Sequence, residues 1–489
     1  MTLVSAPERK LSWWLAEAHE EAEPPAPPLE GTTSADICIV GGGYTGLWSA
    51  IQIKQREPGA DVVLIDRMTC GSGASGRNGG FVLSWWAKLA TLVKVFGPEE
   101  AVRLAEASAD SVSAIGAFCR AHDIDAHFLE NGWLWSATNT AQLGSWDEAI
   151  AVAARHGREP FQPLSSSEVE SMTGSPTHLG GVFERTAATV QPALLARGLR
   201  RVALELGVRI HEHTSMSSWE DGSRPVVHTP RGAVSCSKVV LATNAWMVRE
   251  PEIARSLVVV TSDMVVTRPI PDLLERGGPR RGLAVSDSRM LVNYYRTTRD
   301  GRLAFGHGGG SFGFGRTVGA RFDGPSRRTG AVSSAMHRLY PDFAPDLVTA
   351  SWTGPIDRSI SSIPFFGSLG RTGRVLYGVG YSGNGVGPSH LGGAILSSMA
   401  LDRDDEWTRS RIAQGPVGTY PPEPAKYVGG ITLRAVLARK EHVEDRGKTP
   451  GPVIRAASLL APPGLVPVRR NSKPEVTTTI KERNDHVQP

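Results

Sequence analysis

The chain has 489 residues, too many for one hydrophobic core, and its 40% hydrophobic and 21% charged residues exclude chain-wide disorder and predict two or three folded domains. A net charge of +4, with acidic and basic residues interspersed throughout, leaves no electrostatic footprint for nucleic acid. Glycine is the anomaly: 54 residues, about 11% against roughly 7% in ordinary proteins, without the three-residue period of collagen.

In chain order, a short helix is predicted around Trp13, Trp14 and Leu15, followed by a Pro- and Glu-rich linker over residues 20–33. The tryptophans are expected to pack this arm back onto its own domain. Residues 37–40 and 62–65 read as buried parallel strands. Between them, the apolar positions Leu47, Ala50, Ile51 and Ile53 read as a helix after Gly46, giving a βαβ unit. Helices follow over residues 98–122 and 192–206, with strands at 208–211 and 234–242. Residues 258–315 alternate in the manner of strands, with runs at 290–295 and 302–306, and predict a large antiparallel sheet. A strand at 375–379, a glycine turn and a helix over 388–401 come next. The tail carries a helix candidate at 431–442 and a proline-rich basic end expected to be partly disordered.

Between the first strand and its helix, Val40-Gly41-Gly42-Gly43-Tyr44-Thr45-Gly46 carries Gly-x-Gly-x-x-Gly at Gly41, Gly43 and Gly46. The first glycine permits a tight turn, the second lets main chain approach a pyrophosphate, and the third lets the helix pack closely on the strand. An anion would sit at the helix N-terminus beside Tyr44 and Thr45, where N–H groups and the dipole favour negative charge. Asp66 ends the next strand at the spacing of a ribose-binding carboxylate, with Arg67 beside it. The combination reads as a dinucleotide site. Residues 70–81, Cys-Gly-Ser-Gly-Ala-Ser-Gly-Arg-Asn-Gly-Gly-Phe, are too glycine-rich for a regular element. Gly73, Ala74, Ser75, Arg77, Asn78, Gly79 and Gly80 nevertheless suit phosphate and ring contacts. A second cradle of this kind favours FAD over a nicotinamide cofactor.

The Gly-Ala-Ser-Gly-Arg-Asn-Gly-Gly string resembles the D-amino acid oxidase superfamily of FAD enzymes, with its glycine, sarcosine and gamma-glutamylputrescine oxidases. The likeness extends to Thr189-Val190-Gln191-Pro192, to the segment 239–246 with Ala242 and Thr243, to the segment 302–306, and to Gly380-Tyr381-Ser382-Gly383-Asn384-Gly385-Val386. The overall layout is similar to aminophosphonate oxidoreductases within that branch. The resemblance implies a discontinuous Rossmann-type α/β FAD-binding domain over residues 36–115, 187–250 and 350–403. It implies an α+β substrate domain on a large, mainly antiparallel sheet over 116–186 and 251–349. Residues 1–35 are then an arm and linker, and 404–489 a C-terminal extension. Gly383, Asn384, Gly385 and Val386 would bring main-chain N–H groups and a helix N-terminus to the flavin edge, where charge gathers on reduction. Relatives commonly have His where this chain has Asn384, so a proton role for that His does not carry over.

Three departures from the family bear on the chemistry. In amino-acid oxidising relatives a carboxylate-clamping arginine follows a Trp-x-Gly-x sequence, whereas Trp352-Thr353-Gly354-Pro355 is followed here by Ile356, with Arg358 two residues further on. Losing that bidentate clamp favours an amine over a plain α-amino acid. Relatives with covalent FAD use a cysteine in the C-terminal third, but none follows Cys236, so noncovalent FAD is expected. An oxygen-activating lysine has no counterpart on the strand around residues 290–296. The resemblance implies oxidative deamination of a primary or secondary amine by hydride transfer to flavin, with O2 as acceptor. The expected substrate is an ω-anionic amine such as an aminoalkylphosphonate or a gamma-glutamylputrescine-like amine. A dehydrogenase using a quinone or carrier, a D-amino acid or glycine oxidase, and a non-catalytic flavin-bearing subunit are the alternatives.

Trp85 (with Trp86), Tyr294, Tyr295 and His307 are the catalytic candidates, because aromatics over a flavin exclude water and hold an amine neutral. Arg289, Arg296 and Arg316 are candidates for a distal phosphonate or carboxylate. Cys38, Cys70, Cys119 and Cys236 form no Cys-x-x-Cys pair, the histidines lack metal-ligand spacing, and neither a signal peptide nor a membrane span is seen. No metal, nucleic acid or membrane partner is expected, and a cytoplasmic location is. Of the 54 glycines, 22 fall in four clusters at 41–46, 71–80, 306–315 and 378–393. Three are assigned to FAD, and the cluster at 306–315 has no role legible in the sequence.

Overall fold

The computed structural model describes residues 11–19 and 23–461. A six-stranded sheet runs in the spatial order Phe365–Leu369, Val375–Val379, Lys238–Leu241, Ile37–Val40, Val62–Ile65 and Arg209–His211. All neighbours are parallel except the hairpin of the first two. Ile37–Val40 and Val62–Ile65 are buried at each position, as a parallel sheet covered on both faces requires. Ile37, Ile39, Val62 and Leu64 pack with the helices Tyr44–Arg56, Pro192–Glu205 and Val386–Ala400. On the opposite face Cys38, Val40, Val63 and Ile65 pack with Val227 and Val234 of a small second sheet.

That small sheet comprises Gly31–Ser34, Gly232–Ser235, Val226–Thr229 and Ser218–Glu220. The single strand expected over 234–242 is therefore two. Gly232–Ser235 pairs with Gly31–Ser34, a strand at the end of the expected linker, while Lys238–Leu241 pairs with Ile37–Val40. The helix expected to follow Gly46 starts at Tyr44, and the one expected from Pro388 starts at Val386, because the first turn of a helix tolerates proline.

The other large element is an eight-stranded sheet in the order Val348–Ser359, Leu257–Thr267, Leu303–His307, Asn293–Thr297, Ala284–Asp287, Trp133–Ala137, Gly180–Glu184 and Phe161–Leu164. It is antiparallel apart from the pairing of Ala284–Asp287 with Trp133–Ala137. Val348–Ser359, at the start of the third expected cofactor segment, is paired with Leu257–Thr267 along its length and so belongs to this sheet. Helix Thr329–Leu339 covers one face, packing on Val265, Val285, Tyr295 and Phe305. The arm helix Trp13–His19 buries Trp14 completely, edge-on to Trp352 at 5.9 Å. Beyond residue 404, helices Ala425–Glu444 and Pro452–Ser458 follow. The basic end expected to be partly disordered lies mostly outside the described residues. Among the described residues no helix is long and apolar enough to cross a membrane.

Candidate functional site

The carboxyl ends of the parallel strands, at Val40, Ile65 and Ala242, open into a cavity of about 760 Å3, the position at which open α/β sheets bind ligands. Gly41, Gly43, Tyr44 and Thr45 line it. Gly41 has φ +110°, and a Cβ there would lie 2.6 Å from the Ala242 carbonyl oxygen. Gly43 precedes the helix without a side-chain cap, leaving its first turn to the cavity. Gly46 does not line the cavity. A Cβ there would lie 1.9 Å from the Gly41 carbonyl oxygen, so this glycine sets the closeness of helix and strand. The Asp66 carboxylate accepts from the Gly42 and Met68 amides, each at 2.7 Å. Burial pushes its pKa up, and these amides oppose the shift. Arg67 stacks over Trp246 at 4.0 Å and pairs with Asp323 at 3.2 Å.

The segment 70–81 forms the neighbouring wall, with Gly73, Ala74, Ser75, Arg77, Asn78 and Gly79 lining the cavity. Ser75 Oγ accepts from the Tyr44 amide at 2.9 Å, tying the two glycine-rich segments together. Asn78 Oδ1 accepts from the Gly80 amide at 2.7 Å, and Asn78 Nδ2 donates to the Ser75 carbonyl at 2.8 Å. Gly80 stays outside the cavity, where its φ of +72° and the nearby Val190 carbonyl demand glycine. The segment is anchored by a residue absent from the sequence reading. Glu212 accepts from the Cys70 amide at 2.6 Å while Arg200 holds both its oxygens at 3.1 and 3.0 Å.

A third wall comes from residues 381–386. Gly383 has φ +88°, and helix Val386–Ala400 starts at Gly385 without a side-chain cap, so a second helix N-terminus meets the cavity. Asp357 secures this turn by accepting from the Gly380 amide at 2.6 Å, and burial raises its carboxyl to about 6. Asn384 turns its side chain onto Ser84, Nδ2 donating to the carbonyl at 3.2 Å. Ala242 and Thr243 line the cavity as well.

The large sheet closes the opposite side with Val260, Thr261, Ser262, Ser286, Met290, Val292 and Tyr294. Tyr294 sits edge-on to Phe81 at 5.9 Å, with its hydroxyl 2.9 Å from Ser262 Oγ. Three of the four catalytic candidates lie elsewhere. Tyr295 points to the other face of its strand, stacked on Phe305 at 5.5 Å and 2.7 Å from His178 Nε2, because adjacent strand residues face opposite ways. Trp85 is fully buried in the helical core, its amide bonded to Ser108 Oγ, and Trp86 packs in the same core. His307 Nδ1 lies 2.7 Å from Asn293 Oδ1. Burial, with Arg328 nearby, lowers its pKa to about 3, so it is neutral in the fold.

Among the arginine candidates, Arg289 lines the cavity, Arg316 is exposed, and Arg296 lies under Gly80 against the Trp14 ring. Arg358 also lines the cavity. Lys88 is buried behind it, donating to the Ser362 carbonyl at 2.6 Å, and burial followed by the Arg358 charge lowers its pKa to about 7. The glycine cluster at 306–315 now has a structural role. A Cβ at Gly306 would lie 2.0 Å from the Tyr294 ring, and Gly308 and Gly309 line the cavity. The Gly310 carbonyl accepts from Arg434, and the Gly315 amide donates to Glu423. The cluster thus lets Tyr294 in on one side and the C-terminal extension on the other. Thr261, Ser262 and Asp357 carried no sequence signal beyond strand alternation.

Residues 36–399 match the DAO family model, described as FAD dependent oxidoreductase. The chain is 28% identical over 430 residues to the gamma-glutamylputrescine oxidoreductase of Escherichia coli (strain K12), which covers 87% of this chain and 95% of that protein. It is 29% identical over 434 residues to the probable oxidoreductase OrdL of Rhizobium meliloti (strain 1021), covering 87% and 94%. Among solved structures it is similar to glycine oxidase from Geobacillus kaustophilus, with a TM-score of 0.61 over 76% of this chain and 96% of that one. At 22% identity, that likeness shows the fold alone.

Proposed function

The chain belongs to the DAO family of FAD dependent oxidoreductases, and on that premise we propose that it oxidises a primary or secondary amine bearing an anionic group at its far end. Aminoalkylphosphonates and gamma-glutamylputrescine-like amines are the substrate class, and molecular oxygen is the electron acceptor. FAD suits the cavity on three counts. Two uncapped helix starts meet it at Gly43 and Gly385, where an anion is favoured. A Cβ at Gly41 would collide with the Ala242 carbonyl, so the turn allows close main-chain approach. The Asp66 carboxylate, already accepting two amides, has two further acceptor positions for ribose hydroxyls.

In this reading Gly41, Gly43, Tyr44, Thr45, Ser75 and Arg77 hold the pyrophosphate, while Asn78, Gly79 and residues 383–386 hold the ring. With no cysteine after Cys236, attachment is noncovalent. The chemistry that bound FAD supplies is acceptance of a hydride from the carbon bearing the amine, leaving an imine that water hydrolyses to aldehyde and ammonia or a smaller amine. Tyr294, Phe81, Val260 and Val292 give the reacting amine an apolar wall. Such a wall keeps bulk water out and favours the neutral amine that hydride loss requires.

The single observation that carries the substrate class is the position of Arg358. Gly354, Ile356 and Arg358 alternate along one strand and all line the cavity, and Ile356 takes the place of the arginine expected in amino-acid oxidising relatives. Two residues along a strand is a displacement of about 6.7 Å, which suits a substrate whose anion lies further from its reacting C–N bond than in an α-amino acid. An anaerobic mixing experiment tests this. Aminoalkylphosphonates or acylated diamines are expected to bleach the flavin faster than glycine or D-alanine, with peroxide formed on admitting air. Bleaching by amino acids alone would overturn the substrate class, and reoxidation only by a quinone would overturn the acceptor.

A further inference from the structure

Beyond the family-matched region, the C-terminal extension reaches the wall of the substrate cavity. Helix Ala425–Glu444 contacts the loops around Leu291 and Gly310 beside the large sheet. Arg434 donates to the Gly310 carbonyl at 2.6 Å, and the Leu291 amide donates to Glu441 Oε1 at 3.0 Å. A Cβ at Gly430 would come within 2.3 Å of the Phe312 ring, so the contact is close. Just past this helix, Asp445 meets Arg289, the cavity-lining arginine beside Met290.

Each nitrogen of the Arg289 guanidinium donates to a carboxylate. Its Nη1 donates to Asp445 Oδ2 at 3.0 Å and its Nη2 to Asp445 Oδ1, while its Nε donates to Asp287 Oδ2 at 2.9 Å. The arrangement is braced from both sides. Asn139 Nδ2 donates to Asp445 Oδ1 at 3.0 Å, and Asn293 donates through its amide and Nδ2 to Asp287 at 2.9 and 2.7 Å. A guanidinium fork in a substrate cavity is the natural clamp for a carboxylate or phosphonate. Here that fork is occupied by a carboxylate of the chain itself, so the paired N–H donors that a further anion would need are already taken.

We propose that Asp445 is a specificity-determining residue acting through Arg289: by occupying the guanidinium fork it keeps this part of the cavity closed to anions and leaves the anionic tail of the substrate to Arg358. The inference rests on reading the cavity as an amine site, and its test does not depend on turnover. Full-length FAD-loaded wild type, D445N, R289Q and the double variant are titrated with methylphosphonate and propionate, which have no oxidisable amine, following the flavin absorbance. D445N is expected to bind these anions about tenfold more tightly, and the double variant to lose the gain. R434Q, which removes the same helix's bond to the Gly310 carbonyl away from Arg289, should show no gain. In steady-state kinetics, R289K, which keeps the charge but loses the fork, should change KM for anionic-tailed and neutral-tailed amines by the same factor.

Unchanged anion affinity in D445N, or a gain that survives in the double variant, would overturn the proposal. So would an R289K variant whose KM rises tenfold for anionic-tailed amines alone, a measurement that stands even if D445N fails to fold. Tighter anion binding by D445N in a protein that no amine bleaches would uphold this inference and sink the proposed substrate class.

Discussion

The two ends of the cavity are built from different material. Under the parallel sheet the walls include Gly41, Gly43, Gly73 and Gly383, two helix starts, and one carboxylate held by two amides. Under the large sheet they are side chains, Tyr294, Ser262, Arg289 and Arg358, and their placement depends on residues far away in sequence. A main-chain wall is specified by where glycine is required, by close approach at Gly41, where a Cβ would lie 2.6 Å from the Ala242 carbonyl oxygen, and by a φ of +88° at Gly383. A side-chain wall is specified by strand alternation and by partners, so single atoms can be removed from it one at a time with separable effects.

The largest expected effect falls at the main-chain end. Gly46→Ala places a methyl 1.9 Å from the Gly41 carbonyl oxygen, and main chain cannot yield as a side chain does. A loss of about 3 kcal/mol or more is expected, with poor flavin retention read from the flavin-to-protein absorbance ratio. Gly59→Ala, where nothing lies within 4 Å, is the control. A G46A protein with full flavin and an unchanged Tm would show that this end is no more rigid than the other.

The adjacent tyrosines separate the two faces of the large sheet. Tyr294→Phe removes a hydroxyl from the cavity wall beside Ser262. Its kcat/KM is expected to fall by up to about tenfold, one hydrogen bond's worth, with little change in Tm. Tyr295→Phe leaves buried His178 Nε2 without its partner at 2.7 Å, a stability cost of about 1–3 kcal/mol with kinetics intact. The comparison breaks if Y295F alters turnover and Y294F alters only Tm.

The same contrast explains what was legible in the sequence. Gly41, Gly43, Asp66, the segment 73–79 and the turn at 383–386 announce themselves because conformation and close approach force residue type within a few positions. Strands 37–40, 62–65 and 375–379 were readable because double-sided burial makes them uniformly apolar. Tyr295 and Trp85 misled because an aromatic next to a site motif looks the same whether it faces a cavity or a core, and only pairing register decides. The partners that fix the site, Glu212 for Cys70, Asp357 for Gly380 and Asp445 for Arg289, lie 142, 23 and 156 positions away. Nothing local marks them. The split of 234–242 into two strands is marked in the sequence only by Ser235, Ser237 and Lys238 between the apolar positions, and it is their different neighbours that separate the two halves.

The smallest effect concerns His178, behind Tyr295 on the face away from the cavity. Its ring is 2% exposed, with Nδ1 2.9 Å from Ser136 Oγ, and burial lowers its pKa to about 4. Between pH 6.5 and 4 the unfolded chain binds a proton that the folded chain refuses, so stability is complete above 6.5 and falls as pH drops through that window. At pH 5.5 the loss from this group is about 1.4 kcal/mol. His178→Asn should lower stability at neutral pH yet flatten the decline between pH 6.5 and 5 in urea unfolding. Part of the slope will persist, because His390, lowered by burial to about 4, and His307, lowered to about 3, titrate in the same sense. An H178N slope equal to wild type would mean that His178 is already charged in the fold. The Tyr295 hydroxyl would then have to be its acceptor, and the core face of the sheet would owe its order to a charge rather than to a neutral hydrogen-bond chain.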